Sequence, residues 1–186
     1  MNRQEFLKGC LAGACSCAAW AVMAAEPDAG QSASPDVERL KSQLEAVRIR
    51  YAKLVGILGQ ELDQAAQKRV FRALGRECAQ QFKAMTFEKY KGDLMGFLAH
   101  AQGPAGWMAK AEYDEKAGTI TIADRSTRCT CPLVDKGLTP GLQCECTLGW
   151  QEATYGAILG RPVSASLSES VLRGSTRCVF RIEVRG

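Results

Sequence analysis

Residues 147–184 read TLGWQEATYGAILGRPVSASLSESVLRGSTRCVFRIEV, and this stretch decides the fold. Residues 147–159 have helical spacing, with Trp150, Thr154, Ala157 and Ile158 on or near one face. Gly160 ends that helix and Pro162 prevents its resumption. The period then drops to two. Residues 163–172 form a strand with mostly small alternate residues, and Arg173-Gly174-Ser175-Thr176 turns the chain. Cys178, Phe180, Ile182 and Val184 alternate with polar residues on the return, so one face of that strand is buried.

The same pattern appears once more upstream. Residues 107–113 and 119–122 flank Asp114-Glu115-Lys116-Ala117-Gly118, the layout of a hairpin. Residues 125–144 between hairpin and helix read as an irregular loop. Before them lie helices. Ser34-Pro35-Asp36 combines a capping hydroxyl, proline at the first position and an acid in the first turn. Val37, Leu40, Leu44, Val47, Tyr51, Leu54 and Leu58 follow at alternating spacings of three and four, on one stripe of a long helix. That stripe either packs along its own domain or pairs two chains as a homodimer through residues 37–58. The first option is preferred, because Gly56 and Gly59 interrupt the far end.

A second helical stretch spans 62–82, with Val70, Leu74, Cys78 and Phe82 on one face. A third runs from Thr86 to His100, closed by Gln102-Gly103-Pro104-Ala105-Gly106. Helices, hairpin, helix, hairpin make an α+β domain with a four-stranded, mainly antiparallel sheet. Residues 35–186 are read as this single domain.

Composition agrees. The 186 residues are 46% hydrophobic and 24% charged, which excludes a fully disordered chain and a polytopic membrane protein. Net charge is +4, and the basic residues are dispersed rather than interleaved with aromatics, which argues against nucleic acid. Arg3 and Lys8 precede an uncharged run over 9–25 that ends in Val22-Met23-Ala24, small residues suited to signal peptidase. Residues 1–24 therefore read as an export signal and 25–34 as a polar linker, which places the protein in a periplasm or outside the cell. Arg3-Gln4-Glu5-Phe6-Leu7-Lys8 resembles a twin-arginine signal with the second arginine replaced. An uncleaved signal would be the only contact with a membrane.

Nine cysteines and one histidine are the unusual counts. Cys10, Cys15 and Cys17 belong to the signal. Cys129-Thr-Cys131 and Cys144-Glu-Cys146 form two C-x-C pairs within eighteen residues, a cysteine-rich loop over 129–146. Both members of a pair in an extended stretch face the same way, toward the other pair. The pairs fit either disulfides, in which case no cofactor is needed, or a four-thiolate metal site, zinc first among the metals. A reactive thiol is the third option. Cys144 and Cys146 sit at the entrance of a helix starting near Thr147, where the helix dipole lowers a thiol pKa. His100 lies at a helix end, the position of a solvated cation more often than of a catalytic base. No nucleotide, serine-hydrolase or zinc-protease motif is present.

Three segments carry a family resemblance. These are Cys144-Glu-Cys-Thr-Leu-Gly-Trp150, Leu159-Gly-Arg-Pro-Val163, and the run from Glu169 to Glu183 that contains Arg173-Gly174 and Cys178-Val-Phe180. Together they resemble the C-terminal half of 4-vinyl reductase-type domains and of the L-2-amino-thiazoline-4-carboxylate hydrolase-like family, with Ser175 in place of the usual aspartate. The resemblance covers about forty residues. It implies an α+β fold that binds small hydrophobic molecules, with cysteines near the pocket, or a hydrolase that opens small thiazoline-like rings. The expected function is an exported, non-catalytic domain that binds a small ligand or a metal. Its pocket lies between sheet and helix, with the 129–146 loop as lid and Trp150, Tyr155, Cys178 and Phe180 as wall residues. The alternative is a ring hydrolase that uses a cysteine thiolate or cysteine-bound zinc.

Overall fold

The computed structural model describes residues 34–82 and 87–184. The export signal, nearly all of the linker and the Thr86 cap fall outside the described residues. Helix α1 (Pro35–Glu61) starts at Ser34, whose hydroxyl accepts from the Val37 N–H at 3.4 Å. The chain breaks at Leu62-Asp63. There the Asp63 carboxylate accepts from Ala66 N–H at 2.8 Å, and α2 (Gln64–Phe82) begins. The Gln67 amide fastens this corner by donating to the Gly59 and Leu62 carbonyls, both at 2.8 Å.

The third helix is shorter than its pattern. A 3-10 turn at Glu88–Tyr90 is followed by Gly92 at φ 81°, and α3 (Leu94–Gln102) starts only after Asp93 caps it, accepting from Gly96 N–H at 2.8 Å. Gly92 N–H also bonds Ile158 O at 2.7 Å, so the interruption ties this segment to the next helix. Strands β1 (Met108–Asp114) and β2 (Thr119–Asp124) form the first hairpin, with Asp114 opposite Thr119. Helix α4 (Cys144–Leu159) begins three residues before the expected start at Thr147 and ends at Gly160 in the left-handed region (φ 66°). Strands β3 (Val163–Glu169) and β4 (Val179–Val184) complete an antiparallel sheet of order β1-β2-β4-β3. The expected α+β class and the four-stranded sheet both hold.

One face of the sheet is covered. Ile120, Ile122, Phe180 and Ile182 meet Phe97 and Leu98 of α3 and Leu148, Tyr155 and Ile158 of α4 in one core. On its other side α4 packs against α2 at almost no separation. A Cβ on Gly149 would stand 2.1 Å from Arg72 O, and one on Gly75 would stand 1.8 Å from Cys146 O, so only glycine permits this crossing. The crossing also corrects the expected face of α2. Its buried residues are Phe71, Gly75 and Ala79, whereas Val70 and Leu74 are 46% and 41% exposed. The buried face lies one position further along than the spacing suggests, and the close approach falls on Gly75, which carries no apolar signal.

The α1 stripe departs from the preferred reading as well. Only Ala52 and Val55 of the helix are buried, while Val37, Leu40, Leu44 and Val47 face solvent. The helix leans on its domain only from Arg48 onward, through Arg48 Nε–H to Pro132 O (2.8 Å) and Tyr51 O–H to Gln143 Oε1 (2.6 Å).

Candidate functional site

Two neighbouring cavities of about 620 and about 520 Å3 open between the β2 end, α2, α4 and the loop after β2, and both are lined by Trp107, Asp124, Thr130 and Trp150. Phe87 closes the first, its ring edge-on to Trp150 with centroids 5.6 Å apart. Cys78 of α2, Cys131 of the loop and Cys146 of α4 line the second. Each element sets its side chain for a local reason. Trp107 lies immediately before β1 and packs against Phe97. Trp150 sits one turn beyond Cys146 on α4. Asp124 is the last residue of β2 and shares the inward parity of Ile120 and Ile122, which brings a carboxylate to the edge of an apolar core.

Three polar groups at the base of this cleft lack conventional partners. Burial pushes the Asp124 carboxyl up to about 6, and no cation forms an ion pair with it among the described residues. The adjacent Arg125 is already engaged: its guanidinium donates to the carbonyls of Gln102, Gly103, Pro104 and Met108. The Tyr155 phenol is fully buried and lies within electrostatic reach of Asp124, and burial drives its pKa sharply upward. Its oxygen, like Gln151 Oε1, has no hydrogen-bond partner among the described residues. Buried polar groups are rarely left so.

The six described cysteines, Cys78, Cys129, Cys131, Cys144, Cys146 and Cys178, lie around this region as free thiols. They do not form one quartet: Cys144 and Cys178 lie on one side, Cys78, Cys131 and Cys146 on another, and Cys129 stands within electrostatic reach of both. Cys144 and Cys146 lie in the first turn of α4, not in an extended stretch, so residues i and i+2 diverge by about 200° around the helix. Cys144 is buried and its sulfur meets Ser170 Oγ at 3.1 Å. Cys178 lies on that side too, its pKa raised by burial and by Asp124 and Cys144. Cys146 looks the other way, toward Cys78, Cys131 and Cys129. Burial and those neighbouring thiols push it up to about 12, which overrides the lowering expected of a helix entrance. Cys129 is likewise raised, mainly by burial. Among the described residues no three or more of the usual ligand types converge as a metal site. Within the loop Thr139 N–H donates to Asp135 O at 2.8 Å and Asp135 N–H donates to Thr139 Oγ1 at 3.1 Å, and Arg48 holds Pro132.

Of the expected wall residues, Trp150 lines both cavities. Tyr155 and Phe180 are core, with only the phenol oxygen of Tyr155 directed toward Asp124, and Cys178 borders the Cys144 side. His100 stacks on Tyr90 at 5.6 Å, at the end of α3. Sequence reading missed Trp107, Gln151 and Asp124. For Asp124 a signal existed: it continues the inward alternation of Ile120 and Ile122. Glu145 and Glu152 of α4 share one cation. Arg72 reaches both, at 2.9 Å from Nε to Glu145 and through Nη1 to Glu152, and Arg76 approaches Glu152 at 3.5 Å.

No protein-family model matches the chain, and no curated protein matches it. Solved structures do. The crystal structure of trafficking protein particle complex subunit 3 from Naegleria fowleri, covalently bound to palmitic acid, is similar over 78% of this chain and 97% of that one. Its TM-score is 0.52 and its identity 15%. The phenol-responsive sensory domain of the transcription activator PoxR, with phenol, aligns over 76% of this chain and 74% of its own at TM-score 0.45 and 16% identity. The first establishes a shared α+β fold.

Proposed function

We propose that this chain is an exported small-ligand-binding domain, with the cleft between Trp107, Trp150 and Asp124 as its seat and the cysteine-rich loop as one wall. The observation that carries this reading is a roomy apolar cleft with unpartnered polar groups at its base. The motif around Arg173-Gly174 and Cys178 supports kinship with 4-vinyl reductase-type domains. The similar trafficking subunit shows that the same fold can hold an apolar molecule. The raised pKa of Cys146 favours binding over thiolate chemistry, since a thiol near 12 stays protonated at neutral pH. Titration of the full chain with Nile red, a neutral apolar dye, tests it. Saturable one-to-one binding that Trp150→Ala removes, with unchanged far-UV circular dichroism, is expected. Binding indifferent to that change would overturn the reading.

Zinc enters as part of the same proposal. The two C-x-C pairs Cys129/Cys131 and Cys144/Cys146 are the ligands it would use, and Cys144 would have to turn from Ser170, because no three such groups converge among the described residues. Metal and free-thiol counts on residues 25–186, which hold six of the nine cysteines, decide the point. About one zinc with four or more thiols supports a thiolate site. No metal with two or fewer thiols makes the cysteines disulfides.

The solvent-facing stripe Val37-Leu40-Leu44-Val47 supports a homodimer through the amino-terminal half of α1. In a parallel pair with Val37 at heptad position a, Asp36 at g faces Lys41 at e of the other copy, a match of opposite charge. A single monomeric species in sedimentation at high micromolar concentration would exclude it.

A further inference from the structure

We infer that the natural ligand of the cleft carries a protonated nitrogen on a compact apolar or aromatic body, with the nitrogen held by Asp124 and Gln151. This rests on the cleft being a ligand seat and names the class of molecule it takes. Among the described residues Asp124 is the only carboxylate lining either cavity; Trp107 and Trp150 line both with it, and Phe87 lines the first. A carboxylate among aromatics is the arrangement that selects an ammonium or amidinium group, by charge and by cation–π attraction together. Among the described residues no ion pair satisfies the carboxylate: the guanidinium of Arg125, which also lines the first cavity, is spent on four backbone carbonyls.

Gln151 supplies the second observation. Its side chain is 4% exposed, lines the cavity, and presents Oε1 as an acceptor with no donor among the described residues. A carboxylate and an amide oxygen are both acceptors, so the ligand must bring the hydrogens. An ammonium has three, enough for both acceptors. A purely apolar occupant, a saturated acyl chain for instance, would bury both oxygens without a partner, which is costly. An anion would meet Asp124 with like charge.

Three probes of one shape separate the cases: 2-phenylethylammonium, neutral 2-phenylethanol and anionic 3-phenylpropionate, each titrated into the full chain by calorimetry at pH 7.5, where Asp124 is ionised. The amine should bind about tenfold tighter than the alcohol, and the acid weakest. Asp124→Asn should bring amine and alcohol within about twofold of each other while leaving the alcohol's affinity in place. If Asn at 124 disturbs folding, Gln151→Met serves instead and should weaken the amine by about threefold relative to the alcohol. Equal binding of amine and alcohol, or tightest binding of the acid, overturns this inference and leaves the cleft reading standing. Failure of all three to bind, with no Nile red binding either, overturns the cleft reading and this inference with it.

Discussion

Helices α1 and α4 invert the usual relation between pattern and burial. Helix α1 carries seven apolar residues at strict heptad spacing, yet only Ala52 and Val55 are buried, and Leu40 is 59% exposed. Helix α4 buries Cys144, Leu148, Gln151, Tyr155 and Ile158 at the same spacings of four and three, with Thr154 beside them and Gly149 on the opposite side, although two of these residues are polar. The difference is in what covers each helix. Helix α4 lies between α2 and the sheet, and a helix covered on two sides has no polar face to set against an apolar one. Helix α1 has an apolar stripe whose amino-terminal part, Val37 to Val47, no part of the described chain covers. Periodicity therefore states that a face needs covering and leaves open what covers it.

The crossing of α4 with α2 is where the contrast breaks most sharply. Gly149→Val would drive a branched side chain into the Arg72 backbone, where even a Cβ has no room. We expect a loss of about 3 kcal/mol or more, seen as a collapsed urea midpoint or insoluble protein. Gly56→Ala on α1 meets nothing within 4 Å and should be neutral to slightly stabilising by comparison. Equal stability of Gly149→Val and the native protein would show that the two helices do not approach as described.

Arg72→Met tests the polar side of the same interface. It leaves Glu145 and Glu152, at 12% and 15% side-chain exposure, facing each other without their shared cation. The expected loss is about 2–3 kcal/mol, below that of a fully buried pair because Arg72 keeps some contact with water. The double change Arg72→Met with Glu152→Gln should recover part of it, a coupling that a double-mutant cycle reads directly.

Both predictions concern features that were only half legible. The hairpins, the two-residue period of β4 and the Gly160 stop follow from local rules, and the structure keeps them. The face of α2 was misread because glycine carries no hydropathy signal, although Gly75 decides which face the neighbour can reach. The cysteine geometry was misread for a related reason. Two residues apart means the same side on a strand and opposite sides on a helix, so a three-residue shift in the start of α4 separated Cys144 from Cys146. Arg72 and Glu152 are eighty residues apart in sequence, and no spacing rule reaches that far.

Asp124 extends the comparison to pH, at smaller magnitude. Its carboxyl keeps its proton to about pH 6 in the folded protein, whereas the unfolded chain releases it near pH 4. Between those values the native state binds more protons. Stability therefore falls as pH rises from about 4 to about 6 and stays at the lower level above that. The decrement is about 1–2 kcal/mol once partial exposure is allowed for. Asp124→Asn should match the native protein near pH 4 and exceed it by that amount at pH 7.5 in urea unfolding. Parallel pH curves for the two proteins would refute the raised carboxyl.

The smallest effect belongs to the exposed stripe, and its smallness is informative. Replacing Leu40 and Leu44 together by Gln removes two side chains that bury little in a single chain, so dilute protein should lose less than about 0.5 kcal/mol. The flanking ion pairs Asp36–Arg39 and Glu38–Lys41 are fully on the surface and stay intact in the variant. The discriminating quantity is concentration. If a second copy covers the stripe, the Tm of the native protein climbs with protein concentration, because association draws on the folded state. In the Leu40/Leu44 variant it should stay flat. A native Tm independent of concentration would leave the stripe with no covering from this chain at all, and α1 would then differ from α4 by lacking any partner of its own kind.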